Sequence, residues 1–306
     1  MNVEHRSYSQ LRQWLLGMVS ITLVTAIWGY SNVVIRQGET TISPSILLWM
    51  RFSIAGIVML PIVLRTRLSL RNWFFGLGTG VLLGMSVLAQ AWAMLTVPVD
   101  EVAFITALYV VFTPLGMSVI QKRFPSKLIW YAVSFSLIGT TFLIGKLTLH
   151  LYIGILWAVV AAVGLSGQII STTFLAKTMS SVQLTGLQSV GAGISMTVAV
   201  VFQGVFHPSI YVGMFHWTII EWLWIGYLSI LATVLAVFLQ SWGQAKISAT
   251  EAALAFNMEP VWTAVFVWVI LSQGMTIVQI IGATLIISSL TLVSKPTQDG
   301  GVSSTG

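Results

Sequence analysis

The feature that most limits how this chain can fold is a repeat. Residues 240–269, QSWGQAKISATEAALAFNMEPVWTAVFVWV, superpose without a gap on residues 90–119, QAWAMLTVPVDEVAFITALYVVFTPLGMSV, at an offset of 150. Gln240 then falls on Gln90, Trp242 on Trp92, Glu251 on Glu101, Val261 on Val111 and Thr263 on Thr113. Shared apolar composition accounts for some matches, but Gln, Trp and Glu are uncommon enough here for their agreement to carry weight. A repeat of about half the length in an apolar chain predicts a fold built from two related halves.

The solvent of those halves follows from charge. Only 7% of residues are charged and 57% are hydrophobic, against about 25% and roughly 45–50% in soluble domains. So few charges cannot cover a water-facing surface, and an all-α integral membrane protein is expected. The net charge of +6 does not point to nucleic acid, because the basic residues sit singly or in small clusters between apolar runs. With no cysteine, disulfides and thiol chemistry are excluded. His5, His150, His207 and His216 are too scattered for a metal site, and no cofactor is expected.

Ten apolar segments approach the about 20 residues that a membrane-spanning helix needs. They lie at 14–35, 44–64, 73–94, 101–120, 128–144, 151–176, 182–205, 217–242, 249–271 and 277–293. The first is too long for a signal peptide and lacks a cleavage site. Residues 1–148 are read as a first five-helix repeat, 149–294 as a second, and 295–306 as a disordered cytoplasmic tail.

Lysine and arginine set the orientation. With the N-terminus inside, the cytoplasmic side collects Arg6, Arg12, Arg65, Arg67, Arg71, Lys122, Arg123, Lys127, Lys177, Lys246 and Lys295, and the other side only Arg36 and Lys146. Both termini are therefore expected in the cytoplasm. Five spans per half is odd, so the second half enters the membrane the other way up, giving an inverted five-plus-five repeat. The loops agree: KRFPSK between spans four and five becomes the uncharged SQGMT between nine and ten.

Several segments carry a family resemblance: TAIWGYSNVVIR closing the first span, LLWMRFSIAG in the second, AFITALYVVFTPL in the fourth and MEPVWTAVFVWVILSQG in the ninth. Together with ten spans and an inverted repeat, they resemble the EamA-type branch of the drug/metabolite transporter superfamily, from about Leu11 to Val293. The resemblance implies a secondary transporter of the plasma membrane (the inner membrane in a Gram-negative cell) that exports small metabolites, amino acids among them, or drug-like compounds. It also implies a substrate cavity between the halves. One departure stands out: family members often end the ninth span with a glycine–glutamate pair, where this chain has Ser272 and Gln273.

The residues themselves lead to the same cavity. Polar side chains at mid-membrane turn towards other helices or a wet path, because lipid offers no hydrogen bonds. Thr106, Tyr109 and Thr113 follow helical spacing on span four, as do Glu259 and Thr263 on span nine. Asn32, Gln90, Gln168 and Gln240 add polar groups from spans one, three, six and eight. Any one of them is adequately explained as glue between helices; six stripes converging favour a lined cavity. Pro114 and Pro260 are helix-break candidates, exposing the carbonyls of Val110 and Phe256. Either they present backbone polarity to cargo or they merely kink their helices, and because they do not superpose at offset 150 the kinks are expected at different depths. Arg51 is a buried charge expected to face the interior. Glu259 is expected near the midplane, about 15 Å along its helix from Ala249, where it would exchange a proton, hold an amine-bearing cargo, or only satisfy backbone groups. A passive channel is the main alternative to a transporter. An intramembrane enzyme lacks a nucleophile–base pair. Monomer and homodimer both remain open.

Overall fold

In lipid, every backbone N–H and C=O must be satisfied within the protein, so long apolar runs become helices. The computed structural model describes residues 8–145, 153–212, 214 and 216–293. Among these there is no strand, and nine helices are long and apolar enough to cross a membrane. A tenth, Ile277–Val293, is shorter and equally apolar. The first three are Tyr8–Gly38, Pro44–Arg65 and Leu70–Ala93, and the fourth and fifth are Val99–Gln121 and Lys127–Ile144. The sixth to ninth are Ile153–Leu175, Ser181–Phe206, Ile219–Gln244 and Ala249–Ile270. The tail 295–306 lies outside the described residues.

Local chemistry starts and stops these helices. Pro44 opens the second, where a missing N–H costs nothing. Ser180 with Gln183 and Ser248 with Glu251 form capping boxes, each satisfying two orphan backbone donors. The fourth and ninth spans both end on a left-handed residue, Lys122 and Ser272, each with φ 54°. These two positions are again related by the offset of 150.

The packing repeats as the sequence does. Span two lies along seven and five along ten; three packs on six and seven; one packs on eight and nine; four packs on six and two on eight. Exchanging one with six, two with seven, three with eight, four with nine and five with ten leaves this pattern unchanged. That is the contact pattern of two interlocked copies.

Close approach between the copies needs small residues. A Cβ added at Gly80 would stand 2.3 Å from Gln188 O and 2.7 Å from Gln188 Cα. Spans three and seven therefore touch backbone to backbone at Gly80 and Gly84, while Gly76 makes room for the Leu187 side chain. Buried Phe52, Leu83, Leu88, Met196 and Val237, from spans two, three, seven and eight, fill the space beside it. Outward faces such as Ile57, Val119 and Val198 stay apolar and exposed, as lipid contact requires.

Candidate functional site

A cavity of about 430 Å³ lies at the centre, walled by spans one, two, three, four, six, eight and nine. Its mouth is formed by Glu39, Pro44, Met94, Leu95 and Val99, all at the ends of spans one to four opposite the basic loops. Partial burial at the mouth pushes the Glu39 carboxyl above the ordinary carboxylate range. The cavity narrows inward to Gln168, Gln240 and Phe256. Beyond these the basic-loop end is packed, with Trp14, Ile21, Ile247 and the alanines of 249–255 in one buried cluster. There the Trp14 indole donates to Glu251 Oε1 at 2.8 Å.

Two helix interruptions flank the cavity. The fourth span breaks at Leu108, between helices Val99–Ala107 and Tyr109–Gln121; the ninth breaks at Asn257–Met258, between Ala249–Phe256 and Glu259–Leu271. Leu108 and Met258 are related by 150 residues, so the interruptions match in the two halves and do not differ in depth as the prolines suggested. Pro260 sits in the first turn after its break. Pro114 lies inside helix Tyr109–Gln121 and marks no break. It still removes the bond its N–H would make to Val110 O, but the chain takes a tight turn earlier, with Leu108 N donating to Ile105 O at 3.1 Å. The sequence signal missed was Asn257, whose amide donates to Ser136 Oγ at 2.7 Å and Thr140 Oγ1 at 2.8 Å and ties the break to span five.

Glu259 follows the ninth-span break and lines the cavity. Asn32 Nδ2 donates to Glu259 Oε1 at 2.9 Å and to Thr263 Oγ1 at 3.1 Å, which orients the carboxylate from span one. Thr263 does not line the cavity itself; it supports Asn32. Span one comes this close because Gly29 meets the backbone of span nine: an added Cβ would lie 2.9 Å from Thr263 N. Trp28, one residue earlier, stacks on Phe256 with ring centroids 5.5 Å apart.

Arg51 faces the same cavity from span two. Its Nε donates to Thr233 Oγ1 at 2.9 Å and its Nη2 to Ala232 O at 3.0 Å. Ala232 O also accepts from Trp28 Nε1 at 2.9 Å. These acceptors lie in a π-helical stretch, Tyr227–Leu235. Its origin lies in the repeat: from its cap at Thr218 to Gln240, span eight takes one residue more than span three takes from Ser69 to Gln90. A single extra residue is what a π-bulge accommodates, and such bulges recur at functional sites.

Of the remaining candidates, Tyr109 and Gln90 line the wall. Gln168 and Gln240 form the floor, but their amides are engaged in a buried network. Gln240 Nε2 donates to Gln168 Oε1 at 3.1 Å and Gln244 Oε1 at 2.9 Å, and Gln168 Nε2 donates to Gln188 Oε1 at 2.8 Å. Gln188 and Gln244 were not anticipated. Gln244 could have been found as the i+4 neighbour of Gln240; nothing local marks Gln188, which arrives from span seven. Thr106 and Thr113 are off the cavity. Thr113 Oγ1 donates to Ser166 Oγ at 3.1 Å, buried between spans four and six. Thr106 is buried on the other side of the break at Leu108, which ends the continuous face that the spacing assumed. Among the described residues no group of three or more metal-ligating side chains gathers.

Among the described residues, ten apolar helices in two interlocked copies, around a largely apolar cavity set with a few polar groups and closed at one end, define a multi-pass membrane protein of the transporter type. The model of the EamA-like transporter family matches residues 15–145 and again 152–295, and the chain belongs to that family. It is 25% identical over 278 residues to an uncharacterized transporter of Archaeoglobus fulgidus, covering 90% of this chain and 85% of that protein. A solved crystal structure superposes with a TM-score of 0.72 at 18% identity, over 92% of this chain and 96% of the other. At that identity the likeness is one of fold.

Proposed function

We propose that the protein is a secondary-active exporter of small metabolites, amino acids or related compounds, or of drug-like molecules, working by alternating access around the central cavity. The observation that carries this reading is the one-sided cavity with a carboxylate, Glu259, beside a helix break at its inner end. A secondary transporter needs a site that faces one side at a time. In the plasma membrane, with both termini cytoplasmic as the basic loops indicate, the present mouth faces outward and the glutamine floor separates the site from the cytoplasm. A passive channel would need a continuous path. The buried Gln168, Gln188, Gln240 and Gln244, with the cluster behind them, argue against one in this conformation.

Glu259 is the proposed coupling group. A carboxyl that exchanges its proton as the cavity turns from one side to the other would link cargo movement to a proton gradient. Glu259→Gln keeps the shape and the contact with Asn32 but cannot ionise. In reconstituted vesicles carrying a pH gradient, the variant is expected to insert and elute normally yet lose gradient-driven accumulation. Unchanged accumulation with unchanged pH dependence would refute the coupling role. Flux that never saturates in the wild type would favour the channel.

A further inference from the structure

Two ionisable side chains, Arg51 and Glu259, line the cavity, and neither hydrogen-bonds the other. The hydrogen bonds of Arg51 go to Thr233 and Ala232, and Glu259 accepts from Asn32. A cation and an anion lining one buried cavity ordinarily close into an ion pair, because each is costly to bury alone. Here each is instead held by neutral groups on its own wall. Arg51 is tied to span eight through the π-helical stretch, and Glu259 to span one through Asn32.

What remains uncommitted on each charge is its ligand-binding part. The guanidinium carries five N–H donors in a fixed fork; Nε and one hydrogen of Nη2 are used, leaving Nη1 with both of its hydrogens and one of Nη2. On Glu259, Asn32 holds Oε1, and Oε2 is left for a second donor. Arg51 and Glu259 line the same cavity, so the free donors of one and the free oxygen of the other are open to a single small molecule. Leu83, Val87 and Leu165 supply an apolar wall.

Neither charge belongs to the repeat. At offset 150 the counterpart of Glu259 is Tyr109, and the seventh span, which matches the second, holds no charged residue at all. Charges required by the packing of the two copies would be expected in both.

From this juxtaposition we infer that Arg51 and Glu259 form a two-ended clamp for a zwitterion, an α-amino acid with an apolar side chain. The inference rests on the transporter reading above and narrows it. Arg51 takes the carboxylate through its free fork, where planar bidentate pairing is strong; Glu259 takes the ammonium; the side chain lies against the apolar wall. A lone organic cation would leave Arg51 unmatched, and a lone anion would leave Glu259 unmatched, so both are disfavoured by an unpaired buried charge. Glu39, at the mouth, stands outside the clamp.

The test uses proteoliposomes of the full chain and measures exchange of labelled leucine, methionine and phenylalanine. Competitors are their methyl esters, which keep only the ammonium, and their N-acetyl derivatives, which keep only the carboxylate. In the wild type, each blocked form is expected to compete about tenfold more weakly than the free amino acid, the scale of one lost charged contact. Glu259→Gln is expected to weaken the free amino acid and the ester while sparing the N-acetyl form. Arg51→Gln is expected to do the reverse. Glu259→Gln stands alone if Arg51→Gln fails to fold by size-exclusion chromatography. Blocked forms that compete as well as the free amino acids overturn the clamp. So does exchange of tetraphenylphosphonium without exchange of any amino acid, which leaves the transporter reading intact. Absence of saturable exchange for every probe overturns both.

Discussion

Replacing Arg51 with methionine separates a structural cation from a functional one, because the structure lets the cost be worked out in advance. A charged side chain at the centre of a membrane helix costs about 2.5–3.5 kcal/mol on an insertion scale. Against this, Arg51 makes two hydrogen bonds from a charged donor, each contributing about 1.5–3 kcal/mol. Its removal orphans neither acceptor. Ala232 O keeps the Trp28 indole at 2.9 Å, and Thr233 Oγ1 keeps its own bond to Leu228 O at 2.8 Å. The two bonds together contribute about 3–6 kcal/mol and offset the burial cost, so Arg51→Met is expected to lower stability by no more than about 3.5 kcal/mol, with the apolar stem still packed. Thermal unfolding followed by tryptophan fluorescence, with 13 tryptophans as reporters, measures this directly. Transport by the same preparation is expected to be lost. Arg51→Lys, which keeps the charge but not the fork, is expected to retain a fraction of it. A loss of more than about 4 kcal/mol, or failure to insert, would make Arg51 an anchor and refute the balance above. Normal transport by a folded Arg51→Met would place it outside the path.

Deleting Leu231, whose side chain is 42% exposed on the outer face, removes the extra residue of span eight. The protein is expected to insert and elute normally while cargo affinity falls, because Ala232 O returns to an α-helical bond and Arg51 loses its anchor; unaltered affinity would show that the π-helical stretch does not position Arg51. Ser272→Gly is expected to raise stability by roughly 0.5–1 kcal/mol, since φ 54° is strained for serine but not for glycine; a lower midpoint in thermal unfolding would mean that the serine side chain holds the helix end. A reporter fused after His150 is expected to be active only when exported; cytoplasmic activity there would invert the orientation and put the mouth of the cavity on the other face.

The spans and the pairing of the halves were legible because both are periodic. Apolar runs of membrane length and the match of Gln240 with Gln90 need only local reading. The four-residue spacing of Gly76, Gly80 and Gly84 marks a close crossing, though nothing local names span seven as the partner. The site was less legible. Thr106 was misplaced because a helical wheel assumes an unbroken helix, and the turn at Leu108 has no proline or glycine to mark it; Thr113 shares an unbroken helix with Tyr109 but is turned to Ser166 of span six. Gln188 was invisible because its partners are 20 residues and more away in sequence. The glycine that family members often carry at the end of the ninth span acquires a cause in the structure: position 272 is left-handed, and this chain fills it with serine.

The repeat also explains why the chemistry must lie where it fails. Two copies with matching side chains would offer a ligand the same groups from both halves, related by a two-fold axis, and could not distinguish one end of a small molecule from the other. Direction in a binding site requires that the halves differ. The helix breaks at Leu108 and Met258 match, as do the left-handed ends at Lys122 and Ser272; these are the parts that any alternating motion would use in both halves. Arg51, Glu259 and the extra residue of span eight have no counterpart, and all three meet at the cavity. On the proposed reading, the matched breaks would serve the movement and the three departures would give the ligand site two unlike ends.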